Sequence, residues 1–397
     1  MRLMLQRRAR VADVVLTLNA GSSSIKFGIY VVEGDALRLD VQGQLDALGS
    51  HPHFIAENAE GKVVLEQGSL ELGGDGRASA EKLVRHMLER HRVIAVGHRV
   101  VHGGPRYHAP VLVDAAILED LQTFVPLAPL HQPYNLALIA NIRKEFPNLP
   151  QVACFDTAFH YGHPDLADAF ALPYRYHDEG VRRYGFHGLS YQYIMGALPQ
   201  AAPEIAGKRV IVAHLGNGAS LCATSGGKSI DCTIAFSAVG GVPMGTRSGD
   251  LDPGVVLYLL QQKGMSASDV ENLLYKESGL LGLSGASNDV RDLLASSDPR
   301  AAFALELFAY RVAYAIGGLV STLGGLDGLV FTAGIGEHAA PVRAQILERS
   351  AWLGFEIDSQ RNADNARRIT RDESQVPAYV VPTDEQLVIA RETRDAV

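Results

Sequence analysis

Short apolar runs separated by turns of glycine, asparagine and serine set the pattern of the first stretch of the chain. VVLTLNA and IKFGIYVV read as strands, followed by a more polar pair around LRLDVQGQL and KVVLEQ. The short connections between them predict antiparallel neighbours. SAEKLVRHMLERH shifts to helical spacing, with Leu83, Met87 and Leu88 on one side, and RVIAVGHRVVHGG returns to a strand that runs out into glycine. DAAILEDLQTF predicts a helix capped by Asp114, and PYNLALIANIRKEF a helix with proline in its first turn. QVACFDTAFH is a strand ending in polar residues. Beyond it, YGHPDLADAFALPYRY is irregular and places the main domain boundary: residues 1–158, joined by 386–397, against residues 159–385.

The second half repeats this grammar. VLTLNAGSSSIKFGIY and VIVAHLGNGASLCAT each carry a β-run, a turn of Asn, Gly, Ala and Ser, and a second β-run, which suggests two related domains. Later segments are mostly helical until GLVFTAGIGEHAAPVRAQILE, read as strand, glycine loop and helix, and AYVVPTDEQLVIARET, which has the same form. AAFALELFAYRVAYAIGGLVSTLGGLDGLVF is the most apolar region. Glu306, Arg311 and Asp327 divide it into pieces shorter than the roughly 20 residues of a bilayer span, so a buried helix followed by a strand is expected, with no membrane partner.

Composition narrows the picture. The 397 residues suffice for two domains. A net charge of −8 argues against a nucleic-acid partner, because it leaves no basic excess for a binding face, and any anionic ligand must be drawn in by local arginines. Cys154, Cys222 and Cys232 form no CxxC pair, and the basic opening MRLMLQRRARVAD lacks a signal-length apolar core, so a reducing cytoplasm is expected.

The glycine turns point to phosphate. Converging backbone N–H groups make an anion nest, and glycine lets that backbone approach a ligand closely. GGKS, from Gly226 to Ser229, resembles the end of a P-loop, but the required first glycine falls on Cys222 and the pattern fails. GIGEHA after the strand GLVF fits the looser dinucleotide fingerprint, with Glu356 and Asp358 near the position of the ribose-binding acid. That leaves a nicotinamide-linked dehydrogenase as one reading and a nucleotide held by matched turns as the other. Several β-runs also finish in chemically committed residues: Asn19, His98 with Arg99, Asp156, His187, Asn217 and Arg247.

LNAGSSSIK, GHRVVHGG, APLH, FDTAFH, YGFHG, HLGNGAS, MGTRSGDLDPG, FTAGIGE and TDEQLVIARET together resemble the acetate kinase family, in its order and spacing, over nearly the whole chain. The resemblance implies an α/β fold of two related βββαβαβα domains of the actin-like ATPase (ribonuclease H-like) type, with the active site in the cleft between them. It implies reversible transfer of the ATP γ-phosphoryl group to a short carboxylate, with Mg²⁺ (or Mn²⁺) and ATP/ADP. Arg99 and Arg247 would hold the carboxylate and the phosphoryl in flight, His187 would donate to phosphoryl oxygens, and Asp156 would orient an arginine. Asn19 and Glu385 resemble the metal-site residues. Lys26, His214, Leu215, Gly216, Asn217 and Gly218 would face phosphates, and Gly334, Ile335, Gly336 and Glu337 the adenosine and α-phosphate. His131 resembles a further active-site histidine, and Val101, Leu130, Phe186 and Ala238 the pocket for the acyl methyl group.

The chain departs from the family pattern at a few places. Ala238 stands where a pocket proline is usual, so propionate is expected to be tolerated beside acetate. His338, Gln132, Tyr134 and Gln386 also differ. Propionate or butyrate kinase is the nearest alternative activity, and a non-enzymatic ATP switch on the same fold is a further one. The resemblance also suggests a homodimer.

Overall fold

The computed structural model describes residues 12–20, 24–46, 53–67 and 91–397. The Gly21–Ser23 part of the GSSS turn and almost all of the helix expected from SAEKLVRHMLERH lie outside the described residues, as does most of the basic opening. The chain divides into two units, one formed by Met1–Asp156 with Glu385–Val397, the other by Thr157–Asp384.

The first unit is built on an eight-stranded sheet in the order β5-β4-β3-β2-β1-β6-β8-β7. Its strands are β1 (Asp13–Ala20), β2 (Ser24–Glu33), β3 (Ala36–Asp46), β4 (His53–Asn58), β5 (Val63–Gln67), β6 (Arg92–Val100), β7 (Val111–Leu112) and β8 (Gln151–Phe155). The first five form an antiparallel meander; the antiparallel pairing of β1, β2 and β3 was expected from their short connections, whereas β4 stands between β3 and β5, which were expected to be neighbours. β6 then lies parallel to β1, and β8 parallel to β6. β4 was not foreseen; HFIAEN has only two large apolar residues.

β1 is buried without a break from Val14 to Leu18 because both faces of the sheet are covered. Val14, Leu16 and Leu18 share a core with Leu138 and Ile142 of helix α2 (Gln132–Glu145), whereas Val15 packs with Ala390 of the C-terminal helix, Glu385–Asp395. Helix α1 (Ala115–Gln122) begins at Asp114 as expected, with Asp114 Oδ1 accepting from the Ile117 amide at 2.8 Å. Gly97 is required on β6 because any Cβ there would run into Thr393 and Ile389 of the C-terminal helix.

The second unit has a five-stranded sheet in the order β11-β10-β9-β12-β13: Lys228–Cys232, Ala219–Ser225, Val210–Leu215, Gly328–Thr332 and Ala378–Val380. β9, β10 and β11 form an antiparallel meander, β12 is parallel to β9, and β13 is parallel to β12. This is the scheme β3-β2-β1-β6-β8 over again, so the repeat seen in the turns extends to the topology of both sheets. The apolar segment forms one uninterrupted 25-residue helix, Pro299–Leu323, long and apolar enough by length and composition to cross a membrane. It is amphipathic: Ala304, Phe308, Val312 and Ile316 are buried, while Glu306 and Arg311 point outward and Glu306 pairs with Arg349 at 2.7 Å. Its charges therefore mark one face and do not divide the helix.

Three buried histidines make acid a stress on the fold. Burial pushes the pKa of His98 down to about 4, partly offset by its bond to Gln151 Oε1 (2.8 Å), and pushes His102 to about 3. His160 falls to about 3 through burial and, secondarily, the neighbouring His163. These groups stay neutral when folded but take up protons near pH 6.5 when unfolded. The unfolded state binds more protons between those values, so stability falls as pH drops below about 6.5. Each histidine should contribute a loss of about 2 kcal/mol by pH 5. Urea unfolding at pH 7 and pH 5 should show the decline, and His98→Gln should remove one share of it. An unchanged pH slope in that variant would contradict the account.

Candidate active site

In the first unit the parallel strands β1, β6 and β8 end at one edge of the sheet, the edge at which open α/β sheets carry their sites. Asn19 lies near the end of β1, Arg99 near the end of β6 and Asp156 just past β8. The Arg99 guanidinium grips Asp156 in a fork, with Nε to Oδ1 at 2.9 Å and Nη2 to Oδ2 at 2.6 Å, while Nη1 donates to Asn19 Oδ1 at 3.2 Å. Asp156 is 1% exposed and the Arg99 side chain 20%. Burial alone would lower the pKa of Arg99, but the carboxylates of Asp156 and Glu385 outweigh it and raise it above its ordinary value. The fold thus brings Asn19, Arg99, Asp156 and Glu385 together.

Around them, Asn135 accepts from the Val101 amide at 3.1 Å and donates to Ala20 O at 2.8 Å, tying the ends of β1 and β6. Gln132, one of the departures from the family pattern, is fully buried and bonds His102 through both N–H and C=O, at 3.1 and 2.9 Å. Val101 is buried; Leu130 and His131 stand partly exposed before α2. Lys26, exposed on β2, pairs in register with Asn19.

The second unit holds another set. Gly185 (φ +77°) presses its bare face on the His160 ring, and His160 Nε2 meets Phe186 O at 2.9 Å. His187 follows in the left-handed region, φ +58°, immediately before helix α3 (Gly188–Ala201). It is therefore a helix-entry residue, and Arg247 lies in a turn outside any strand; neither sits at the strand end that was expected. His187 Nδ1 lies 2.7 Å from Ser220 Oγ, and its ring stacks on His214 with centroids 4.3 Å apart. His214 Nδ1 lies 2.8 Å from Ser190 Oγ.

Arg247 is carried on a turn cemented by backbone bonds. The Met244 amide donates to Arg247 O and the Gly245 amide to Asn217 O, both at 3.0 Å; the amides of Ser278, Leu280 and Leu281 donate to Thr246, Met244 and Gly245 at 2.9–3.0 Å. Arg247 Nη1 donates to Ala238 O at 2.7 Å. The space beside Gly218 that a Cβ would occupy has His187 Nε2 at 3.2 Å and Arg247 Nη2 at 3.3 Å. Two donor-bearing side chains thus converge over bare backbone, an arrangement suited to a phosphate oxygen. Phe186 and Ala238 are buried in this unit, Val101 and Leu130 belong to the other.

The sequence profile of the acetokinase family matches residues 14–391. The chain belongs to this family. It is 51% identical over 385 residues to the acetate kinase of Nitrobacter hamburgensis, covering 96% of this chain and 95% of that protein, and 51% identical over 390 residues to the acetate kinase of Rhodopseudomonas palustris, covering 96% and 98%. Among solved structures, a propionate kinase from Francisella tularensis superimposes with a TM-score of 0.87 at 37% identity over 97% of this chain and all of that one. The Porphyromonas gingivalis acetate kinase gives 0.82 at 35%, with the same coverage. The two-domain actin-like α/β fold and the kinase class follow from these likenesses. The nicotinamide reading rested on GIGEHA alone and loses its support.

GIGE itself required correction. β12 ends at Thr332, Ala333 turns at φ +63°, and Ala333–His338 is helical with no glycine loop before it. Gly334, Ile335, Gly336 and Glu337 all lie in this helix, and Glu337 Oε1 accepts from the Thr383 amide at 3.3 Å. The buried guanidinium of Arg343 holds the far end, donating to Gly336 O and Glu337 O at 2.9 Å. Its rank as a supporting residue was not legible from sequence. Neither was that of Ser220, Tyr191 or Ser190, although Tyr191 lies one helical turn after His187.

Gly279 tests the support of Arg247. Its φ is +61°, and a Cβ there would strike Met244 O and the Arg247 backbone. Gly279→Ala should lower the kinase rate at least tenfold. Gly264→Ala, at φ +66° with nothing near, should show only the stability cost of about 1–2 kcal/mol of a left-handed side-chain residue. Equal rates in the two variants would contradict the account.

Proposed function

We propose that the protein is an acetate kinase, which passes the γ-phosphoryl group of ATP directly and in line to acetate, forming acetyl phosphate and ADP, and runs in reverse. The observation that carries this reading is the supply of fixed donors: Arg99 locked by Asp156, and His187 Nε2 with Arg247 Nη2 over Gly218. A carboxylate with a pKa of about 4.3 is already ionised at neutral pH and needs no base to activate it. The barrier lies in bringing an anion to a polyanion and stabilising charge during transfer, which forked guanidinium groups do well.

Arg99 and Arg247 take the carboxylate and phosphoryl charge, His187 donates to phosphoryl oxygen, and Asp156 keeps Arg99 aligned without removing a proton. HLGNG, Lys26 and Gly334–Glu337 serve the nucleotide. Mg²⁺, or Mn²⁺ in its place, neutralises phosphate charge when bound. Among the described residues no three His, Cys, Asp or Glu side chains cluster as a metal cage, but Mg²⁺ keeps several waters and needs only one or two protein oxygens beside substrate phosphates. Asn19 and Glu385 supply such oxygens beside Arg99.

Propionate kinase is the second reading, favoured by the Francisella likeness and by Ala238. That residue is buried and its carbonyl holds Arg247, so the lost proline ring leaves room beside a fixed backbone. A methylene changes preference by only about 1–3 kcal/mol in such a pocket. We also expect a homodimer. Val255, Leu257 and Tyr258 on the helix Pro253–Gln261, and Phe303, Tyr310 and Tyr314 on Pro299–Leu323, offer exposed apolar faces for it, and sedimentation will read it.

A panel of acetate, propionate and butyrate with MgATP, scored as acyl hydroxamate, tests the reading. Acetate should give the highest kcat/KM with propionate within about a hundredfold, and no carboxylate dependence would refute the assignment. Arg99→Ala and Arg247→Ala should each lower kcat on the order of 10²–10³-fold or more while circular dichroism stays unchanged. A wild-type rate in either removes that residue from the mechanism.

A further inference from the structure

Behind His187, on the side away from Gly218, lies a chain of hydroxyls that the proposed chemistry leaves unused. His187 Nδ1 is 2.7 Å from Ser220 Oγ, and the Tyr191 hydroxyl is 2.5 Å from the same oxygen. Ser220 and Tyr191 are both wholly buried, Ser220 on β10 and Tyr191 on α3, one turn from His187. Ser220 has one proton to give. Given to His187 Nδ1, it leaves the imidazole proton on Nε2, and Tyr191 must then donate to Ser220 Oγ. Given to Tyr191, it needs a proton on His187 Nδ1, and a neutral ring then presents a bare lone pair beside Gly218.

The surroundings choose between these. Nε2 shares the space over Gly218 with Arg247 Nη2, and the ring stacks on His214 at 4.3 Å. At pH 8 an ordinary imidazole is neutral, and a lone pair there would repel a phosphate oxygen. We propose that Tyr191 and Ser220 are positioning residues for phosphoryl transfer: they donate in series, Tyr191 to Ser220 and Ser220 to His187 Nδ1, and so fix His187 as the neutral tautomer that donates from Nε2. The partner at one ring nitrogen sets the proton at the other. The left-handed backbone of His187, clamped by the His160–Phe186 bond, fixes the ring's position, and the hydroxyl chain fixes its proton. This inference rests on the kinase reading and adds to it the groups that prepare its phosphate donor.

The test uses the full chain with MgATP and acetate. Ser220→Ala should lower kcat about 10–100-fold at pH 8, the usual cost of losing a group that orients a functional histidine, with KM for both substrates within about twofold. The deficit should shrink toward pH 6, because an imidazolium carries a proton on Nε2 whatever Nδ1 faces. His214, Arg247 and, through Ser220, Tyr191 also face His187, so the pH profile is read as the ratio of variant to wild type. Ser220→Thr should restore the rate, Tyr191→Phe should show a smaller deficit of the same pH form, and Ser220→Ala should add nothing to His187→Ala.

Nitrogen-15 NMR of the unmutated protein reads the tautomer directly and stands even if Ser220→Ala fails to fold. A proton on Nδ1 with a bare Nε2 at pH 8 overturns the inference, as does a Ser220→Ala deficit that is equal at every pH and additive with His187→Ala. A slow His187→Ala beside a fast Ser220→Ala overturns the relay alone. A wild-type rate in His187→Ala instead removes the histidine from the kinase reading.

Discussion

The forked ion pair between Arg99 and Asp156 is the constraint on which the first unit's site depends. Taking two charges out of water is costly, and a well-packed apolar pair is often no less stable in such a place. What the pair supplies is position. With Nε and Nη2 committed to Asp156 and Nη1 to Asn19, the guanidinium plane has one orientation. The carboxylate must itself be fixed, and it is, because the Asp156 amide donates to Val100 O next to Arg99. The strand pairing that makes the sheet therefore also aims the arginine, and a shift of register would misplace both partners together.

The second unit solves the same problem by other means. Arg247 sits on a turn whose amides and carbonyls are taken up by the segment around Ser278–Leu281, and its Nη1 is held by a backbone carbonyl. A carbonyl carries a dipole where Asp156 carries a full charge, so this hold directs Arg247 without neutralising it. Gly279 is what permits the turn and its support to approach so closely. One guanidinium is thus oriented by a carboxylate, and the other is held at Nη1 by a backbone carbonyl.

Much of this was legible in the sequence because it depends on local pattern. The apolar strands β1, β2, β6 and β9, the Asp114 cap and the proline-led helix α2 follow from spacing and from residues that act on their own neighbours. So did the duplicated turn, which proved to mark a duplicated sheet. What escaped was set by distant partners. GIGE reads as a loop because glycine is a poor helix former, yet Ala333 starts a helix there and Arg343 holds its far end. His187 and Arg247 resembled strand ends because each follows small or apolar residues, whereas a clamped left-handed turn and a cemented loop place them. Tyr191 and Ser220 are 29 residues apart, and no periodicity announces a contact of that range.

The buried polar groups of the second unit fit one logic of proton counting. Phe186 O can only accept, so His160 Nε2 must carry a proton, and a neutral His160 must accept at Nδ1, where Ser229 Oγ lies at 2.8 Å. Ser229 then spends its proton on His160, just as Ser220 spends its own on His187. Behind the two serines, the Tyr191 hydroxyl faces Ser220, and His163 Nε2 lies 2.6 Å from Ser229 Oγ with its Nδ1 3.0 Å from Asp168 Oδ1. The first chain fixes the carbonyl of Phe186 and the second the ring of His187. Adjacent residues of YGFHG are thus held by two separate lines of directed hydrogen bonds, one governing backbone and one governing side chain. Such double anchorage explains how a histidine can be kept at a positive φ, a conformation that costs about 1–2 kcal/mol, without the segment relaxing into an ordinary helix start.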